Sequence, residues 1–138
     1  MKVGWIALTA IHESAENYLE TILMLSEEKS EVRSIDIANE LNFSKPSVSV
    51  AMKNLRQSGH IKVDDNGHIT LTESGYAIAS KIYERHKVIS QALISLGVNE
   101  KTAVADACRI EHVISSESFE AVKKYIKEEG LCSDEEEN

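Results

Sequence analysis

Three residues of the 138-residue chain, Cys108, Glu111 and His112, stand at positions i, i+3 and i+4. On an α-helix that spacing puts a thiolate, a carboxylate and an imidazole on one face, able to point at a single divalent ion, while Arg109 and Ile110 fall on other faces. A mixed sulfur, oxygen and nitrogen set suits Fe(II), Co(II), Ni(II) or Zn(II), whereas oxygen and nitrogen alone are easier to reconcile with Mn(II). His86 and Glu20 are further candidates that only folding could bring near. Taken singly, each has an ordinary structural role open to it. Cys108 could be a small core residue, Glu20 and Glu111 solvated helix carboxylates, and His86 and His112 hydrogen-bonded, half-buried imidazoles. Ligation needs neutral imidazoles and a thiolate, so metal binding is expected to weaken as pH falls through the imidazole range.

A second constellation lies between Asn42 and Val63, where Lys45, Lys53, Arg56 and Lys62 occur without an Asp or Glu. The whole chain carries 15 Lys and Arg against 23 Asp and Glu, a net charge of -8, which alone argues against a nucleic-acid partner. The distribution reverses that inference, because acidic residues gather at Glu128, Glu129 and Asp134 to Glu137. Ser44 is a good helix N-cap with Pro46 in the first turn, and Val48, Ala51, Met52 and Leu55 form a buried stripe as far as Gly59. The other side offers Ser44, Lys45, Ser47, Ser49, Val50 and Lys53, which supply hydroxyls and ammonium groups for phosphates and a small apolar contact for a thymine methyl. No Arg, Asn or Gln stands at the helix start for a bidentate base contact, so modest direct readout, much phosphate contact and a share of DNA shape are expected.

The elements that position these groups follow from periodicity. Ser14 reads as the N-cap of a first helix with Tyr18, Leu19, Ile22, Leu23 and Leu25 at helical spacing. Ser34 to Leu41 is a short second helix, broken at Asn42-Phe43 before the helix that Ser44 opens. Ile61 to Val63 and His68 to Leu71 alternate at period two around the turn Asp64-Asp65-Asn66-Gly67, which predicts a hairpin. Two helices joined by a tight turn and followed by a hairpin give the order of a winged helix-turn-helix. Thr72 to Leu96 reads as one long linker helix stopped at Gly97. Beyond it, Ala103 to Ala107, then Ile110, Val113 and Ile114, then Phe119, Val122, Tyr125 and Ile126, predict three short helical patterns separated by Cys108-Arg109 and by Ser115-Ser116.

The fold class is therefore mainly α: a winged helix-turn-helix domain followed by an all-helical domain. The boundaries read as 1–13, an N-terminal extension; 14–74, the DNA-binding domain; 75–130, a helical metal-binding and dimerisation domain with 75–96 as its linker helix; and 131–138, an acidic disordered tail. The apolar stripes Ala103, Ala107, Ile110, Ile114 and Phe119, Val122, Ile126 exceed what one small helical half would bury, which predicts a homodimer. With 42% hydrophobic and 28% charged residues, 1 Pro and 6 Gly, the composition is that of an ordinary folded soluble chain. No window approaches the roughly 18 uninterrupted apolar residues of a membrane helix, and the start lacks a signal-peptide core. A cytoplasmic location is expected. Cys108 and Cys132 are too few for a disulfide framework, which fits a reducing compartment.

The sequence resembles the diphtheria-toxin-repressor family of metal-dependent transcriptional regulators, which includes iron and manganese sensors. The likeness covers roughly Ser14 to Lys127. It rests on Glu16-Asn17-Tyr18-Leu19-Glu20-Thr21-Ile22, Ser44-Lys45-Pro46-Ser47-Val48-Ser49, Leu71-Thr72-Glu73-Ser74-Gly75, Arg85-His86 and Asp106-Ala107-Cys108-Arg109-Ile110-Glu111-His112-Val113. The resemblance implies metal sensing by Asn17, Glu20, His86, Cys108, Glu111 and His112, a homodimer formed by the second half, and base-proximal positions at Ser44, Pro46, Ser47, Ser49 and Val50. It also implies a double-stranded DNA operator as partner and repression of metal-homeostasis genes as output.

Three departures qualify it. Asn17 stands where iron-sensing relatives usually carry Met and manganese sensors Asp, while Cys108 follows the iron-sensing pattern rather than the Glu of manganese sensors. Ser90 and Val104 occupy positions of an ancillary site in the two-site iron regulators, so that site is incomplete, although Glu20 with His86 resembles half of the manganese sensors' two-metal site. The chain also ends before the SH3-like third domain of the longer iron regulators and so reads as the short, two-domain type. Fe(II) is the favoured ion and Mn(II) the next, with Zn(II), Co(II) or Ni(II) able to bind in vitro; no organic cofactor and no membrane partner are expected. Two other classes of function use similar residues. A metal-dependent hydrolase lacks support, since the chain has no HExxH, phosphate loop or nucleophile elbow, and the chain is read as not an enzyme. A winged-helix regulator sensing a non-metal small ligand is the alternative.

Overall fold

The computed structural model describes residues 2–129, with side chains from Ser14 onward. The acidic segment 131–138, with Cys132, lies outside the described residues. Compact packing divides the chain into a first unit, ending at Lys81, and a second, starting at Ile82.

In the first unit, α1 (Lys2–Glu28), α2 (Ser34–Leu41) and α3 (Lys45–Gln57) precede a two-stranded antiparallel sheet of β1 (Ile61–Val63) and β2 (Ile69–Leu71). Ser14 does not cap α1, as its sequence context suggests; it lies exposed within the helix, because no proline interrupts the run from Lys2. The break after α2 is made by Asn42, which takes the left-handed conformation at φ 57° while Phe43 donates back to the Ala38 carbonyl at 3.1 Å. Ser44 caps α3, its Oγ accepting from the Ser47 amide at 3.3 Å. Leu19, Ile22, Ile37, Val48, Met52, Leu55, Ile61 and Ile69 are buried, so α1, α2, α3 and the hairpin share one core. This is the winged helix-turn-helix expected from the residue pattern.

The hairpin pairs Ile61 with Leu71 and Val63 with Ile69. Its turn is tied by Asp64 Oδ1, which accepts from the amides of Asn66 at 2.8 Å and His68 at 2.9 Å. These bonds, that from His68 foremost, hold the Asp64 carboxyl below the usual range. After the hairpin, Thr72 Oγ1 donates to the Gly59 carbonyl at 2.7 Å and accepts from the Gly75 amide at 3.2 Å, which starts the next helix against the end of α3. Gly75 is required there: a Cβ on it would sit 2.0 Å from the His60 carbonyl oxygen.

α4 (Glu73–Ser95) is one continuous helix that contributes to both units. It ends as expected before Gly97, whose φ is 101°. In the second unit α5 (Glu100–Val113) and α6 (Ser116–Glu128) follow, capped by Asn99 and Ser115. The three short patterns read from the sequence are thus two helices. Cys108-Arg109 does not separate anything, because both residues are compatible with helix and both stand exposed within it. Val88 and Ile89 of α4, Ala107 of α5 and Phe119 of α6 form the core, with Leu93, Ile110, Ile114 and Val122 half-buried around it.

Most of the two stripes expected to face a second copy is therefore consumed inside the unit: Ala103, Ala107, Phe119 and Ile126 are buried. The large apolar side chains left exposed include Leu96, Val113 and Tyr125. Leu96 and Tyr125 border a cleft of about 610 Å³ floored by Leu93, Ile110, Ile114 and Val122. Among the described residues no helix is long and apolar enough to cross a membrane.

Candidate metal centre

His86 comes from the second half of α4, and Cys108, Glu111 and His112 from α5. His86 Nδ1 lies 2.8 Å from Glu111 Oε1 and 3.8 Å from Cys108 Sγ. One ligand-capable atom from each of His86, Cys108 and Glu111 falls within 4.8 Å of the others, so the three could close on one ion. Their environments differ. Glu111 is fully buried, the His86 side chain is 17% exposed, and Cys108 is exposed at the mouth of the cluster. The other carboxylate oxygen, Glu111 Oε2, is 3.5 Å from Nε2 of the nearly buried His112 and makes no hydrogen bond. Cys108, Glu111 and His112 thus share a helix face as their spacing implies, but the donors divide around Glu111: one oxygen faces His86 and Cys108, the other His112.

A buried carboxylate is expensive unless something positive faces it. Here that is the imidazolium of His86. Hydrogen bonds with Cys108 and with Glu111 raise its pKa to about 10, against the opposing effect of burial. A cluster of thiol, carboxylate and imidazole whose buried acid keeps one oxygen without a hydrogen bond suits a divalent cation, which would replace the His86 proton as the positive partner. Asn17 and Glu20 stand one turn apart on α1, in the first unit. Arg85, which sequence reasoning left without a role, is buried beside His86, with its guanidinium 5.5 Å from the centroid of the Phe119 ring.

The nucleic-acid candidates lie on α3 and its N-cap, from Ser44 to Lys53. Ser44, Lys45, Pro46, Ser47, Ser49, Val50 and Lys53 are every one exposed, while Val48 and Met52 between them are buried. Arg56 and Lys62 are exposed as well, so the acid-free stretch presents its cations to solvent.

Two family models account for nearly the whole chain: the iron dependent repressor N-terminal DNA binding domain over residues 10–69, and the iron dependent repressor metal binding and dimerisation domain over residues 72–137. The chain belongs to the iron-dependent repressor family. Among relatives, the uncharacterized HTH-type transcriptional regulator MJ0568 of Methanocaldococcus jannaschii is 36% identical over 117 residues, covering 83% of this chain and 94% of that protein. The transcriptional regulator MntR of Escherichia coli O157:H7 is 32% identical over 118 residues, covering 86% of this chain and 76% of MntR. Among solved structures, the manganese regulator SloR superposes with a TM-score of 0.74 at 28% identity, over 82% of this chain and 53% of SloR. The chain therefore spans about half the length of the SloR chain. The fold is that of metal-dependent repressors, and both named relatives are transcriptional regulators.

Proposed function

We propose that the protein is a metal-activated transcriptional repressor that reads Fe(II), or next Mn(II), and controls genes of metal homeostasis. The observation that carries this reading is the convergence of His86, Cys108 and buried Glu111, from two helices, within 4.8 Å. His86, Cys108, Glu111 and His112 would hold the ion, and the resemblance adds Asn17 and Glu20 of α1. The thiolate favours Fe(II) over Mn(II), since the latter prefers oxygen and nitrogen donors. The bound ion supplies positive charge and a fixed coordination geometry; no turnover is involved.

The residues of α3 would meet double-stranded DNA, Lys45 and Lys53 at phosphates and Ser44, Pro46, Ser47, Ser49 and Val50 near the bases. Metal would favour the DNA-competent state because the ion binds that state more tightly, the only way a ligand can shift such an equilibrium. Exposed Leu96, Val113 and Tyr125 support a homodimer built by the second unit, which would place two α3 helices on two half-sites. The reading is tested by measuring affinity of the pure protein for genomic duplex fragments with Fe(II) under anaerobic conditions, Mn(II), Zn(II), Co(II) or chelator. Tight binding in metal and its loss in chelator is expected. Metal-independent binding released by an organic effector would establish the non-metal alternative instead.

A further inference from the structure

Arg85 immediately precedes His86, yet its side chain takes no part in the donor cluster. Its guanidinium turns to the end of α5. Nη1 donates to the carbonyl oxygen of Glu111 at 3.1 Å and of Ile114 at 2.8 Å, and Nη2 donates to Ser116 Oγ at 3.4 Å. The residue is only 7% exposed and its charge lies over the Phe119 ring.

A buried arginine needs such compensation. The last carbonyls of a helix have no amide of their own helix to accept from, and they carry the negative end of the helix dipole, so a cation at that end is favoured twice over. The flat guanidinium serves two carbonyls through Nη1 and Ser116 through Nη2 while lying against an aromatic face; a lysine has a single nitrogen on a flexible stem and cannot span all three acceptors from that position as a rigid fork. One of those two carbonyls belongs to Glu111 itself. Two successive residues of α4 therefore hold the same residue of α5: Arg85 by the main chain and His86 by the carboxylate.

We propose that Arg85 is a positioning residue of the metal centre, fixing the main chain of Glu111 so that its carboxylate meets His86 and Cys108. This rests on the metal-sensing reading above and adds a residue that contacts no ion. Groups that orient ligands in this way typically account for about 10- to 100-fold in metal affinity.

Co(II) is the probe, because its ligand-field bands report coordination geometry and its thiolate charge-transfer band reports Cys108. Wild-type protein, Arg85→Lys and Phe119→Leu are titrated with Co(II), and their unfolding temperatures are recorded alongside. Phe119→Leu loosens the seat of the guanidinium without touching a donor, and it carries the test should Arg85→Lys fail to fold. The expected result is a charge-transfer band in all folded variants, altered ligand-field bands, and affinity reduced at least about tenfold in Arg85→Lys and less in Phe119→Leu. Wild-type spectra and affinity in folded Arg85→Lys, or in Phe119→Leu if that alone folds, would overturn the positioning role while leaving the centre intact. Absence of the band in wild type would overturn the centre, and the inference with it.

Discussion

In the proposed centre, metal would have to compete with a proton for His86 over an unusually wide pH range. With its pKa raised to about 10, the imidazole of the metal-free protein is cationic at neutral pH, and metal can use its nitrogen only after displacing that proton. An unperturbed histidine, near pKa 6.5, would change apparent metal affinity only about fourfold between pH 6 and pH 8. The raised value predicts about tenfold per pH unit, hence about a hundredfold over the same interval from this residue alone. The structure thus moves the expected titration window upward from the ordinary imidazole range. Calorimetric titration with metal at pH 7 in buffers of different ionisation enthalpy counts the protons released. His86→Asn, which cannot titrate, should release about one fewer than wild type. The metal-free protein offers an independent readout. Because the folded-state pKa lies above the ordinary one, the His86 ion pair contributes its stability fully below about pH 6.5 and loses it as pH rises towards 10. The melting temperature of wild type relative to His86→Asn should fall across that window. Equal proton release by the two proteins at pH 7 would refute the argument.

Lys45→Ala and Lys53→Ala should each weaken binding to all duplexes and lower the salt slope by about one unit, leaving metal affinity unchanged; an unaltered slope in both removes α3 from the interface. Gly75→Ala forces a Cβ against the His60 carbonyl, 2.0 Å away before relaxation, and should lower first-unit stability by about 1–3 kcal/mol; thermal unfolding indistinguishable from wild type would contradict that packing. Cys108→Glu replaces a soft donor with a hard one and should move the preference towards Mn(II), read as the ratio of Mn(II) to Co(II) affinity; an unchanged ratio would place Cys108 outside the centre.

The first unit was largely legible in the residue pattern. Helical spacing in α3, the Ser44 cap and the Asp64 to Gly67 turn are local signals, and the structure follows them. The shared face of Cys108, Glu111 and His112 was legible for the same reason, since three positions on one helix need no tertiary information. The approach of His86 to Glu111 was not, because it joins residues 25 apart on different helices and only the resemblance pointed to it. Arg85 left still less trace: its partners are mainly main-chain carbonyls, which every residue possesses and no sequence spacing marks. The apolar stripes of α5 and α6 are in large part covered within their own unit; periodicity shows which face is buried but not whether the same unit or a second copy covers it.

The central claim is that Glu111 and His112 belong to the centre through which metal controls DNA binding. Its most direct test is a fluorescence-anisotropy titration of labelled duplex DNA with wild type, Glu111→Ala and His112→Ala, each with Fe(II), with Mn(II) and with chelator. Metal should tighten wild-type binding and leave both variants at the weak affinity seen in chelator, although they remain folded and still bind DNA non-specifically. Full metal activation in both variants would contradict the assignment and make the non-metal ligand sensor the better account.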